Sequence, residues 1–142
     1  MRRVDGRSLW IGPAGDPRDP LRLAEAGVAA AVDLALNESP AVVRRDLIAC
    51  RFPLVDGAGN PPWLLRAAVA TVAGLLRDDV PTLVCCGGGM SRAPAVAAAA
   101  LALARGIDLD EALRLATRDG PADVSPALWR ELLAATLRRD GP

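Results

Sequence analysis

Thr82-Leu83-Val84-Cys85-Cys86-Gly87-Gly88-Gly89-Met90-Ser91-Arg92-Ala93-Pro94 decides how the rest of this chain is read. An apolar run of strand length ends in a cysteine, a glycine-rich turn follows, and an arginine opens an alanine-rich helix. Five residues separate Cys86 from Arg92, and Gly89 stands third after the cysteine. A strand-to-helix turn of this length points its backbone N–H groups inward at an anion, and the helix N-terminus adds a favourable dipole. Glycines let the chain approach that anion closely. An arginine in the first helical turn can hold two phosphate oxygens in a fork. A thiol at the centre of such a loop is expected to ionise readily and act as a nucleophile. The phosphate-binding residues expected on this reading are Gly87, Gly88, Gly89, Met90, Ser91 and Arg92.

Other phosphate loops do not fit. A dinucleotide loop would need a third glycine where Arg92 stands, and a Walker loop needs a lysine that the chain lacks. An ordinary glycine-rich turn with a passing cysteine is the plain alternative. It leaves unexplained the preceding strand, the central glycine, the following helix and an upstream loop aspartate.

The pattern Cys86-x5-Arg92 with Gly89 resembles the signature of the cysteine-dependent protein tyrosine phosphatases, and the short chain resembles their compact dual-specificity branch. Leu9-Trp10-Ile11-Gly12 is similar to the opening strand of that family, and Asp123-Val124-Ser125-Pro126 with Leu128-Trp129 to its closing helix. The resemblance implies that Cys86 attacks phosphorus to form a phosphocysteine. It also implies that Arg92 and the N–H groups of residues 87 to 92 stabilise the equatorial oxygens. It departs from the family at two positions. A histidine usually precedes the nucleophile, where this chain has Cys85; that histidine helps order the loop and keep the thiol acidic. A serine or threonine usually follows the arginine, where this chain has Ala93; loss of that hydroxyl predicts a slower breakdown of phosphocysteine.

Expulsion of an alkoxide or phenoxide calls for a carboxylic acid. Asp56 is the candidate, because it sits in Asp56-Gly57-Ala58-Gly59-Asn60-Pro61-Pro62, a turn-rich loop of the kind that can close over a site. It precedes Cys86 by 30 positions, and the family's general-acid aspartate occupies a similar loop at a similar distance. The alternative is an Asp-Gly turn with no chemistry. Asp33, inside an apolar strand, reads as structural, and Glu38, Asp78 and Asp79 read as solvated surface charges.

Composition narrows the chemistry. The 142 residues suit one domain, residues 1–142, and 51% of them are hydrophobic. With three tryptophans, one phenylalanine and no tyrosine, the core must be built from Ala, Leu and Val. There is no histidine, and all 17 basic residues are arginine. That removes Ser-His-Asp and Cys-His hydrolysis, histidine metal sites and every lysine-based mechanism. No metal and no cofactor are expected. The formal net charge of zero argues against bulk attraction to nucleic acid or to an anionic membrane. Met1-Arg2-Arg3-Val4-Asp5-Gly6 is basic but leads into no apolar stretch, so it does not read as a signal peptide. The longest apolar run, Ala93 to Ala104, is 12 residues, against roughly 20 for a membrane span. A reducing, cytoplasmic location and a monomer are expected.

Strand and helix patterns alternate along the chain, which predicts an α/β fold: one central, mostly parallel sheet flanked by helices. Strands are predicted at Ser8 to Gly12, Val28 to Leu34, Leu47 to Phe52 (ended by Pro53) and Val80 to Cys85. Helices are predicted at Pro17 to Ala26 (closed by Gly27), Trp63 to Arg77, Arg92 to Arg105, Asp108 to Thr117 and Pro126 to Arg139, with Ser125 as N-cap. Asn37-Glu38-Ser39-Pro40 reads as a loop. The continuous apolar strand before Cys86 belongs at the sheet's centre, and ligands of open α/β sheets bind at the carboxyl ends of such strands. Cys85 is expected to face away from Cys86. Cys50 reads as a small core residue. A reversible disulfide between Cys50 and Cys86 is the sharper alternative to that reading, because the strand of Cys50 leads into the acid loop and some relatives place a back-door cysteine there. Trp10, Trp63 and Trp129 read as core or near-core anchors, with Trp63 also a candidate for lining the pocket.

The function expected is that of a phosphomonoester hydrolase, a dual-specificity protein phosphatase. Its expected partner is a phosphoprotein or a small phosphomonoester, and Cys86, Arg92 and Asp56 form its catalytic set. Two other classes compete: a phosphate-binding module with negligible turnover, and a rhodanese-like sulfurtransferase, which would not need Asp56.

Overall fold

The computed structural model describes residues 1–4, 6–39 and 45–139, with the side chains of 137–139 left aside. Pro40, the last residue of one predicted loop, lies outside them. The strands are β1 (Arg2–Arg3), β2 (Leu9–Pro13), β3 (Ala30–Ala35), β4 (Ile48–Leu54) and β5 (Thr82–Cys86). The helices are α1 (Pro20–Ala26), α2 (Pro62–Arg77), α3 (Arg92–Arg105), α4 (Leu109–Thr117) and α5 (Pro126–Arg139). The strands form one sheet in the order β1-β2-β5-β3-β4. Only the β1–β2 pairing is antiparallel; β2–β5, β5–β3 and β3–β4 are parallel.

β5 lies at the middle of this order, and every one of its residues is buried. That is where an unbroken apolar strand has to go, since it carries no polar face for water. Period-2 alternation divides the core. Val84 and Cys86 of β5, Leu9 and Ile11 of β2 and Val32 and Leu34 of β3 join the large cluster under α2, α3, α4 and α5. Leu83, Cys85 and Ala31 join a small cluster on the other face with Leu23 of α1, Val28 and Leu47. Alanine dominates α3, and Arg92 through Ala102 are buried without a break. Side chains this small let the helix axis lie close to its neighbours on all sides, which fixes the position of its N-terminus against the sheet.

The structure alters several expected boundaries. Pro53 does not end β4 but lies inside it; β4 is the outermost strand, where a missing N–H leaves no ladder bond unmade. Pro17 belongs to a separate 3₁₀ turn (Asp16–Arg18), and α1 begins only at Pro20, with Asp19 capping the N–H of Arg22. Gly27 ends α1 in the left-handed conformation at φ +74°. β1 is too short to leave a periodic signal. Trp63 is 64% exposed, so it anchors no core, whereas Trp129 packs on the large cluster and Trp10 on the small one. Arg3 lies over the Trp10 ring at 5.3 Å.

Candidate active site

Cys86 closes β5, residues 87–91 form the turn, and Arg92 begins α3. No described residue accepts a hydrogen bond from the N–H groups of residues 87 to 91. The turn's carbonyls, by contrast, are used: Gly87 O accepts from Ala14 N–H at 3.4 Å and Met90 O from Asp123 N–H at 2.8 Å. Gly89 and Ser91 are buried while Gly88 and Met90 are exposed, so the unused donors of this turn are open to solvent or to an anion.

Gly89 makes this turn possible. Its φ is +72°, and a Cβ there would lie 2.7 Å from the Gly12 carbonyl carbon and 2.9 Å from its oxygen. Backbone leaning on backbone cannot give way, so both the conformation and the approach demand glycine.

Arg92 is buried, at 6% exposed. Its Nη1 donates to Leu54 O at 3.0 Å and to Asn37 Oδ1 at 3.1 Å, which fixes the guanidinium plane from the ends of β4 and β3. Its buried Nε has no partner among the described residues. A Cβ placed on Gly87 would sit 3.0 Å from Nη2, so the fork reaches over the start of the loop.

The two adjacent cysteines have opposite surroundings. Cys86 Sγ accepts from Ala93 N–H at 3.3 Å, a donor from the first turn of α3. Cys85 Sγ lies 3.6 Å from Val32 O on the other face. Burial, then the neighbouring Asp33, Cys86 and Asp16 charges, push the Cys85 thiol far above its ordinary range, so it stays protonated. It supplies neither charge nor a strong donor at the place where a histidine would stand. Cys50 is in register with Val32, and Val32 with Val84, so β3 separates Cys50 from β5. Two inter-strand steps span roughly 10 Å, and a disulfide needs Cα atoms within about 7 Å. The alternative Cys50–Cys86 bridge does not fit this sheet, and Cys50 packs against the large cluster, as its reading as a core residue expects.

Asp56 does come to the loop. Ser91 Oγ donates to Asp56 Oδ1 at 2.6 Å and accepts from Ser125 N–H at 2.9 Å. One hydroxyl thus ties the turn, the aspartate loop and the start of α5 together. Ser125 Oγ in turn accepts from Leu128 N–H at 3.3 Å, the N-cap its sequence announced. Two further residues that the sequence did not single out shape the aspartate loop. Asn60 is buried; it accepts from Val55 N–H at 2.8 Å and donates to Val55 O at 2.9 Å and Gly57 O at 3.4 Å. Glu131 of α5 accepts from Gly59 N–H with both carboxylate oxygens, at 2.9 and 3.2 Å. The only hint of Asn60 was its place among glycines and prolines. Asn37 and Glu131 carried none.

Asp33 is structural: its Oδ1 accepts from Ala35 N–H at 2.9 Å where the β3–β4 register shifts. Asp79, at φ +53°, pairs with Arg105 at 3.0 Å. Glu38 is not the remote surface charge its sequence suggested. It is half-buried, and its Oε1 lies 3.9 Å from where a Gly87 Cβ would be. Among the described residues, no group of three or more His, Cys, Asp or Glu could hold a metal ion, and no helix is long and apolar enough to cross a membrane.

No protein-family model matches the chain, and no curated protein does. Solved structures do. Human DUSP28 superposes with a TM-score of 0.85 at 26% identity, over 99% of this chain and 100% of that one. A mouse dual specificity phosphatase complexed with zinc tungstate gives 0.83 at 27% identity, over 97% and 88%. A human tyrosine phosphatase-like serine/threonine/tyrosine-interacting protein gives 0.80 at 14% identity, over 94% of each chain. The chain has the dual-specificity phosphatase-like fold of the cysteine-dependent protein tyrosine phosphatases.

Proposed function

We propose that residues 1–142 form one catalytic unit that hydrolyses phosphomonoesters through a phosphocysteine intermediate, acting as a dual-specificity protein phosphatase. The observation that carries this reading is the meeting of the distant Asp56 with Cys86 and Arg92 at one turn: Cys86 Sγ under the Ala93 N–H, the Arg92 guanidinium over Gly87, and Asp56 on Ser91.

The substrate phosphate sits against the free N–H groups of residues 87 to 91, and Arg92 supplies Nε and Nη2 to two of its oxygens. These donors are preorganised, so charge gathered on the equatorial oxygens in the transition state needs no rearrangement of the site. Cys86 Sγ attacks phosphorus; the S–P bond forms as the P–O ester bond breaks, and Asp56 gives its proton to the departing oxygen. In the second step Asp56 takes a proton from water, which attacks phosphorus and releases inorganic phosphate and the Cys86 thiolate. Arg92 and the backbone dipoles neutralise the phosphate charge, so the mechanism calls for no metal or cofactor. A sulfurtransferase would have no use for Asp56 at this loop.

A second reading rests on a specific observation: Cys85 stays a neutral thiol where the family has histidine, and Ala93 brings no hydroxyl. On that reading the loop binds phosphate with negligible turnover. Hydrolysis of an aryl phosphate by wild type, Cys86→Ser and Asp56→Asn separates the two. Wild-type turnover that falls at least roughly 10⁴-fold in Cys86→Ser and about 10²-fold in Asp56→Asn is the expected result. An inert wild type that still binds tungstate would make the chain a binding module, and an inert wild type that binds no oxyanion would overturn the phosphate site itself.

A further inference from the structure

The mouth of the phosphate loop is apolar and acidic. Three exposed side chains stand on the segments that meet there: Leu36, beyond β3 and next to Asn37; Val55, between Leu54 and Asp56; and Met90, in the turn. Three described carboxylates share those borders: Glu38, Asp56 and Asp123, whose N–H holds Met90 O. Two arginines donate to the backbone of or near these segments, Arg18 to Ser39 O at 2.7 Å and Arg51 to Ala35 O at 3.4 Å. Arg92 is buried beneath. Glu38 is the carboxylate placed most tellingly. The point 3.9 Å from its Oε1 is also 3.0 Å from Arg92 Nη2, so carboxylate and guanidinium flank the first residue of the loop together.

We propose that Glu38 is a specificity-determining residue that rejects phosphomonoesters carrying a second negative charge beside the phosphate, so that the site takes a phosphate borne on an apolar or aromatic group without acidic neighbours. The inference rests on the phosphatase reading. The reacting phosphate is drawn into direct contact with amide donors and the Arg92 fork, and these outweigh a carboxylate acting from farther off. A second anion on the substrate lies outside that cradle. It meets Glu38, while the apolar rim offers contact to a methyl-bearing or aromatic flank. The repulsion between like charges grows as they approach. The effect should weaken with salt, since the rim is open to water.

The test compares kcat/KM on two phosphotyrosine peptides, one flanked by glutamates and one by leucines, for wild type and Glu38→Gln. Glu38→Gln is expected to raise the acidic-to-apolar ratio about five- to tenfold at low salt, and much less at high salt. Glu38→Asp should keep the wild-type ratio. The alternative role for Glu38 is to orient Arg92. In that case both peptides slow equally in Glu38→Gln and the proposal is overturned, as it is if neither peptide responds. Binding of the same two peptides is also measured in Cys86→Ser, with and without Glu38→Gln, so the answer does not depend on turnover. Selective tightening of the acidic peptide in a protein whose wild type is inert would retain the charge filter and sink the hydrolase. Failure of both peptides to bind or turn over would sink both.

Discussion

Cys85 and Cys86 are neighbours on one buried strand, yet one belongs to a structural face and the other to the face of the proposed reactive site. Cys86 points to the side where α3 begins and takes an N–H from Ala93. Cys85 points to the side covered by α1, among Leu23, Val28, Ala31, Leu47 and Leu83, where its thiol is held neutral. Nothing in the side chain distinguishes them. The pleat assigns one residue to each face, and the face then decides whether the sulfur meets helix N-terminal donors or aliphatic carbon. On the proposed reading, the role of each sulfur is a property of direction before it is a property of residue type.

The comparison breaks if substitutions on the two faces cost the same. Arg92→Ala removes the fork and leaves Leu54 O and Asn37 Oδ1 without their donor; a loss of about 10³-fold or more in kcat/KM is expected from removal of a preorganised oxyanion donor. Cys85→Ala, on the other face, should stay within roughly tenfold of wild type, because the group it removes is a weak donor. Steady-state kinetics on an aryl phosphate reads both. Equal losses would mean that Cys85 reaches the chemistry through the strand.

Gly89→Ala attacks the reactive face through its backbone. The added Cβ would press on the Gly12 carbonyl at 2.7 and 2.9 Å, and the residue would have to keep φ near +72°. The turn must shift or the β2–β5 pairing must open. A stability loss of about 2–3 kcal/mol in urea unfolding is expected, together with loss of tungstate binding. Full stability with normal turnover would show that the amide cradle tolerates another shape.

The structural face has its own signature in pH. A thiol whose folded pKa is raised favours the folded state while both states are protonated. That advantage erodes once the unfolded chain ionises and the folded chain cannot, above the ordinary thiol value of 9.0. Unfolding free energy should therefore fall as pH rises past that value, by up to about 1.4 kcal/mol per pH unit for this one group. The chain has no histidine and no tyrosine, and all its basic residues are arginine, so few other side chains titrate there. Urea unfolding of wild type and Cys85→Ala between neutral and alkaline pH isolates the effect as a difference in slope. Identical slopes would place Cys85 in a wetter environment than its packing indicates.

How far the sequence could be read follows from the same distinction between local and long-range causes. The turn after β5, the α3 register, the Gly27 and Ser125 caps and the opposed cysteines are consequences of spacing within a few residues, and all were legible. That Asp56 comes to the loop was legible from its turn-rich segment and from the family resemblance. Asn37 and Glu131 were not, because they act across 55 and 72 positions through one side chain whose partner is set by the fold. Glu38 was misjudged for that reason: a charge in a polar loop carries no mark of which surface the loop will border. The Cys50–Cys86 bridge failed because sequence gives strands but not their order, and the order inserts β3 between them. Pro53 reads as a terminator in sequence because only the sheet's edge makes it tolerable inside β4.

The smallest effect sharpens the reactive face from within. Ala93 is fully buried, and its N–H already lies 3.3 Å from Cys86 Sγ. A hydroxyl on the Ala93 Cβ would add a second donor beside the same sulfur at little cost in volume. Such a donor does nothing for attack, where sulfur loses negative charge to phosphorus, and helps departure, where sulfur regains it. Ala93→Ser should therefore leave the first turnover unchanged and raise the steady-state rate several-fold, a gain of about 1 kcal/mol or less in the second barrier. Rapid-quench sampling distinguishes the two steps: wild type should show a burst of released phenol followed by a slow phase, and Ala93→Ser a smaller burst with a faster slow phase. A wild type without a burst would mean that phosphocysteine formation is the slower step, and the Ala93 position would then have no purchase on the rate.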